Sequence, residues 1–229
     1  MSKTYTRLEL ISKIENVEAP VLYTLNEVNY QGKTKDTKEF YTEVFAEWLL
    51  SNLDILNGIK PHNRTLPYRV LSHEHREIPT SNRTEEIIAI TLFKNRNNPV
   101  VLNAGLGTIL DYQVPLKVHQ HDKAGKIDLL SSNGNEVYVL ELKKQDSTET
   151  MLRCVLESYT YSKMLIPNKL LTEYAIDQNA SIIPAPLVFE NSRPHLEYDI
   201  NTHPKLIELI KVLGIKPIIL PDTFMSQLG

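Results

Sequence analysis

Residues 125–143 read Gly-Lys-Ile-Asp-Leu-Leu-Ser-Ser-Asn-Gly-Asn-Glu-Val-Tyr-Val-Leu-Glu-Leu-Lys. Two apolar runs flank a polar turn that contains Asn-Gly, the strongest short-range signal for a tight hairpin. Centring a type I′ turn on Asn133-Gly134 places Asp128 opposite Val139. Glu141 is then its diagonal neighbour on the same face, at about 7–8 Å between backbones. Lys143 lies two residues further along that face. Val137 and Val139 precede Glu141 and Lys143 on this face, and Tyr138, Leu140 and Leu142 line the other. A strand apolar on both faces is a buried one, and ionised groups at its end are costly unless paired or coordinated. Asp128 and Glu141 are therefore read as carboxylates that share a divalent cation, with the Lys143 ammonium beside it. The competing reading is a solvated strand end.

The rest of the chain supplies a setting for this hairpin. From Asp36 a helical pattern runs through Phe40, Val44, Phe45, Trp48, Leu49 and Leu53 and stops at Gly58. Residues 60–81 hold prolines 61, 67 and 79 among polar residues and read as a connector. Within it, His73-Glu74-His75 has metal-binding residue types, but alternate spacing in a proline-bounded loop is a poor ligand pattern. Asn82 with Glu85 forms a capping box opening a helix to Phe93. Residues 108–117 alternate as a half-buried strand. After the hairpin, Asp146 with Glu149 caps a helix that runs to Pro167. Residues 182–189 form a strand whose two prolines put it near an edge. Residues 203–213 are helical, Gly214 stops them, and 216–220 form a last short strand.

Gly-Lys-Ile-Asp followed after a hairpin by Val-Leu-Glu-Leu-Lys resembles the signature of the PD-(D/E)XK nuclease superfamily, an Asp on one strand and Glu-x-Lys on the next. The order helix, three strands, helix, strand around it, over about residues 82–190, resembles that family too. The proline of the family name is absent, since Ile127 precedes Asp128. The resemblance implies a mixed α/β, restriction-endonuclease-like domain over residues 82–229, with residues 1–81 as an amino-terminal, partly helical extension. It implies Asp128, Glu141 and Lys143 as catalytic residues. Mg2+, with Mn2+ able to substitute, is held by Asp128, Glu141, the Leu142 carbonyl and a carboxylate on the preceding helix. Glu86 is preferred for that last place, because it is in phase with Ile90 and Phe93 while Glu85 serves the capping box. Relatives often carry Gln-x-x-x-Tyr on the following helix. Here Glu157 and Tyr161 have that spacing, with Arg153 one turn earlier, so Glu stands where the family has Gln. The stripe reads equally well as exposed i, i+4 contacts.

Composition sets bounds on function. The 229 residues are 41% hydrophobic and 23% charged, ordinary globular values. The single cysteine, Cys154, excludes a disulfide framework or a cysteine zinc cluster and is expected to pack inside. Charges interrupt every amino-terminal apolar run and no apolar stretch reaches membrane-spanning length, so a cytoplasmic protein is expected. A net charge of −3 argues against a generic nucleic-acid coat. Residues 58–126 nevertheless carry 10 basic against 6 acidic side chains, which offers either a phosphate-facing surface or ordinary fluctuation. The expected activity is Mg2+-dependent phosphodiester hydrolysis, on DNA before RNA by family frequency. Nucleic acid is then the partner, with no membrane and with room for a homodimer. The alternative is a catalytically silent nuclease-fold module that binds nucleic acid or a partner protein.

Overall fold

A computed structural model of the chain describes residues 4–78, 83–117 and 125–228. Helices α1 (Arg7–Glu15) and α2 (Tyr41–Ser51) come first, followed by α3 (Thr84–Lys94) and the single turn α4 (Pro99–Leu102). Strands β1 (Thr108–Pro115), β2 (Lys126–Asn133) and β3 (Glu136–Leu142) lead into α5 (Met151–Met164) and α6 (Pro167–Glu173). Strand β4 (Ser181–Phe189), α7 (Arg193–Glu197), α8 (Pro204–Val212) and β5 (Ile218–Leu220) close the chain. The five strands form one mixed sheet in the order β1-β2-β3-β4-β5. The first three pair antiparallel, and β3, β4 and β5 run parallel. The protein is thus mixed α/β, a five-stranded mixed sheet flanked by helices.

Strand parity governs how the two faces are covered. Val137 and Val139 point into a cluster with Val155 and Leu156 of α5, Leu206 and Leu209 of α8, and Val44, Phe45 and Leu49 of α2. Tyr138, Leu140 and Leu142 point into the opposite cluster, against Ala89, Ile90 and Phe93 of α3 and the carboxy-terminal Phe224. The alternation expected for β3 is therefore present. Leu10, Ile14, Leu22 and Tyr41 belong to the same cluster as Val139, so the amino-terminal residues cover one sheet face together with α5. Fully burying Phe45 or Leu49 contributes about 1.5–3 kcal/mol each. Among the described residues no helix is long and apolar enough to cross a membrane.

Three local expectations differ from the structure. The hairpin turn is centred on Gly134-Asn135, one residue later than expected, with Asn133 paired to Glu136. Only the first central residue needs a positive φ, and Gly134 supplies it at 59°, the type II′ pattern. Each pair shifts by two residues. An even shift keeps β3 and Leu129–Asn133 on their expected faces. Alternation breaks at Asp128, since Leu129 joins the cluster under α3 while Ile127, two residues earlier, joins the one under α5. Asn82 and Pro79 lie outside the described residues, but the cap position of α3 is held by Arg83 without a side-chain cap bond. The helix after β3 is capped by Thr150, whose side chain accepts from the Arg153 N–H, so Asp146 and Glu149 remain in the preceding loop. Strand β4, expected near an edge, is the penultimate strand. The Lys143 N–H donates to the Leu187 carbonyl and the Lys216 N–H to that of Pro184. The missing donors of Pro184 and Pro186 thus face the β5 side, where pairing covers only Leu187–Phe189.

Candidate active site

The hairpin opens at its charged end. The β2–β3 pairing ends at Leu129 with Leu140, although both strands continue. Into this gap the Asp128 carboxylate inserts, accepting from the Leu142 N–H at 3.0 Å and from the Gln113 side-chain amide at 2.9 Å. Gln113 reaches it from β1 with φ at 47°, a strained conformation for a residue with a Cβ. A side chain thereby replaces main-chain pairing at the mouth of the sheet. The carbonyl of Leu142 leaves β3 on the same side as its N–H, toward Asp128.

Lys143 is the hub of the cluster. Its side chain is 5% exposed, and its ammonium lies 2.9 Å from Glu141 Oε1, 3.0 Å from Glu157 Oε2 and 3.1 Å from Glu149 Oε2. The Tyr161 hydroxyl donates to Glu157 Oε1 at 3.1 Å, and Tyr23 packs edge-on against the Tyr161 ring. Gly125 is glycine for a visible reason: a Cβ there would lie 2.1 Å from the Tyr161 hydroxyl. Arg153 Nε lies 3.4 Å from Glu149 Oε2. The structure thus brings Asp128, Glu141, Lys143, Glu157, Tyr161 and Arg153 to one end of the sheet. The Arg153-Glu157-Tyr161 stripe faces inward rather than solvent.

Electrostatics follow from burial. Desolvation pushes the Asp128 carboxyl up to about 7, with Lys143 and the Leu142 N–H opposing. Burial and the Asp128 charge raise Glu141 well above the carboxylate range, against the pull of Lys143. Burial works against the Lys143 charge, but Glu141 and Glu157 outweigh it and hold the ammonium well above its ordinary value. Desolvation, followed by Glu157, raises Tyr161, which stays a neutral donor. Glu141 Oε2 is buried with no hydrogen-bond partner. Cys154 is buried, gives its thiol to the Thr150 carbonyl and is pushed up by desolvation, so it packs rather than reacts.

A cleft of about 500 Å³ opens beside Asp128, with Glu85, Glu86, Gln113, Lys144 and Glu149 among its walls. Glu86 lines it, but its carboxylate is held by Arg76 at 2.9 Å and Arg83 at 3.5 Å. Glu85 accepts from the Lys144 N–H at 3.3 Å, and its charge raises Asp128. Of the two adjacent acids, Glu85 is thus the one that reaches the end of β3. Sequence reasoning assigned Glu85 and Glu149 to helix caps and did not anticipate Gln113. Thr150, a good capping residue just before the apolar run of α5, was the signal that could have released Glu149. His73 Nδ1 meets Asp111 Oδ1 at 2.6 Å and its ring stacks on Tyr112, contacts separate from those of the Asp128 cluster. No group of three or more His, Cys, Asp or Glu residues among those described forms a ready-made metal cage. Comparison of the chain with protein-family models, curated proteins and solved structures finds no match.

Proposed function

We propose that this chain is a Mg2+-dependent nuclease with a restriction-endonuclease-like core, acting on DNA in preference to RNA. The observation that carries the reading is the orphaned Glu141 Oε2, buried beside Asp128 at the open end of the hairpin. A buried carboxylate oxygen without a donor is costly, and a hard divalent cation is the ligand that compensates for it. The donor set fits Mg2+: Asp128, Glu141 and the Leu142 carbonyl would hold it, with the remaining positions left to water and substrate oxygens. A bound Mg2+ neutralises a phosphodiester and lowers the pKa of water to make a nucleophile near neutral pH. Succession of α3, three antiparallel strands, α5 and the parallel β4 agrees with the same reading.

The side chains divide the remaining work. Lys143 supplies a fixed positive charge and proton donor beside the reacting phosphorus, suited to orienting water or stabilising the equatorial oxygens. Glu157, itself oriented by Tyr161, holds that ammonium in place. Asp128, raised to about 7, gives up its proton in the range where a cation competes for it. One fact favours the alternative of a silent binding module: the Lys143 ammonium is hydrogen-bonded to Glu141 and Glu157 and lies within ion-pair distance of Glu149, so it is already neutralised without a substrate.

The test is cleavage of supercoiled, linear and single-stranded DNA and of RNA, each with Mg2+ and Mn2+. Wild type cuts, and Glu141→Ala and Lys143→Ala each lower the rate by about 10²–10⁴-fold. Salt-dependent binding without cleavage would establish the silent module instead.

A further inference from the structure

Glu149 stands out among the carboxylates around Lys143. Its side chain is 26% exposed, against 7% for Glu141 and 11% for Glu157, and it belongs to the loop joining β3 to α5. Its Oε2 bridges Lys143 at 3.1 Å and Arg153 at 3.4 Å, yet that oxygen is buried and aligned for a hydrogen bond to neither. Arg153 Nε is likewise buried without a hydrogen-bond partner. Two cations converge on one anionic oxygen that fits both in distance and neither in direction. Held on its loop, the Glu149 carboxylate is aligned with neither donor, whereas a tetrahedral phosphoryl group presents oxygens in several directions.

Charge balance points the same way. With every group ionised, Asp128, Glu141, Glu149, Glu157 and the nearby Glu85 outnumber Lys143 and Arg153, an excess of negative charge that a divalent cation reduces. Exchanging Glu149 for a phosphodiester, each carrying a single negative charge, keeps that balance. We infer that Glu149 is an intramolecular stand-in for the scissile phosphodiester, occupying the seat between Lys143 and Arg153 until substrate displaces it. This rests on the phosphodiester reading of the site. It makes Arg153 a substrate-binding residue and gives the phosphate the Lys143 donor that Glu149 approaches without a hydrogen bond. Glu149 also lines the cleft beside Asp128, which places it between that cleft and the two cations.

The experiment measures binding of a non-cleavable phosphorothioate single-stranded DNA oligonucleotide in Ca2+, by fluorescence anisotropy, with and without activity assays. Glu149→Gln tightens binding by about tenfold, and KM of cleavage falls with it. Glu85→Gln is the control for mere removal of negative charge from the cleft, and its gain stays within about twofold. In an Arg153→Gln background the Glu149→Gln gain shrinks, because one of the two cations it frees is gone. Equal gains from Glu149→Gln and Glu85→Gln, or unchanged or weaker binding in Glu149→Gln, overturn the stand-in. Failure of every protein to bind the oligonucleotide overturns it too. Binding that follows the expected pattern without any cleavage retires the nuclease reading and leaves the phosphate seat standing.

Discussion

Asp111 on β1 and Glu141 on β3 are carboxylates of one sheet with almost the same exposure, 2% and 5%. Their surroundings are opposite. Asp111 accepts from the Tyr174 hydroxyl at 2.7 Å and from the N–H groups of Tyr112 and Val70 at 2.8 and 3.3 Å. His73 Nδ1 completes the set. Through these contacts Asp111 fastens the connector before α3 and the end of α6 to β1. Glu141 has a single hydrogen-bond partner, Lys143, on one oxygen and none on the other, with further carboxylates nearby. A buried charge satisfied by fixed donors is a structural fastening. One left short of donors, beside like charges, is a site awaiting a cation.

The largest effect that separates them is on stability. Asp111→Ala orphans a ring of buried donors and should cost about 3–5 kcal/mol in urea unfolding. Per folded molecule, metal binding is unchanged. Glu141→Gln removes a charge from a crowded acidic cluster, so its cost is smaller than that of Asp111→Ala and metal binding is lost. Equal stability losses at the two positions would dissolve the contrast.

Next in size is the pH dependence. Asp128 has a folded pKa raised from 3.8 to about 7, so between those values the native state keeps a proton that the unfolded chain has released. Stability then falls as pH rises through this window, and Glu141, also raised, adds in the same direction. We expect a progressive loss of stability between pH about 4 and pH about 8 without metal, read from urea midpoints. Asp128→Asn flattens the slope. A wild-type stability that rises over this range would contradict the clustered-carboxylate account.

The smallest effect concerns the paired acids of α3. Glu86→Gln loses ion pairs whose arginines are 42% and 79% exposed, worth under about 1 kcal/mol, and leaves metal affinity alone. Glu85→Gln, nearer Asp128, weakens metal binding modestly through its lost negative charge. The reverse ranking would restore Glu86 to the place that helical phase assigned it.

Helical phase correctly buried Glu86 beside the cleft but could not foresee its pairing with Arg76, because the first turn of a helix presents neighbouring residues to adjacent walls of one cleft. Periodicity resolves faces and not partners. Parity carried the hairpin further. Alternation in β3 predicted both hydrophobic clusters, and an even error in the turn centre left the faces of its residues unchanged, whereas the break in alternation at Asp128 was not legible from parity. Local rules could not foresee Gln113, whose left-handed backbone is imposed by strand packing, nor Asp111, whose donors come from residues far apart in sequence. Glu149 was masked by a plausible capping pattern that Thr150 fulfilled instead.

The most direct test of the central claim is a calorimetric titration of wild type and Asp128→Asn with Mn2+ in two buffers of different ionisation enthalpy. Wild type should bind with a heat that depends on the buffer, because the cation displaces protons from carboxyls raised by burial. Asp128→Asn should weaken binding by about tenfold or more and release fewer protons. No binding heat in wild type, or the same affinity and proton release in the variant, would contradict a cation shared by Asp128 and Glu141.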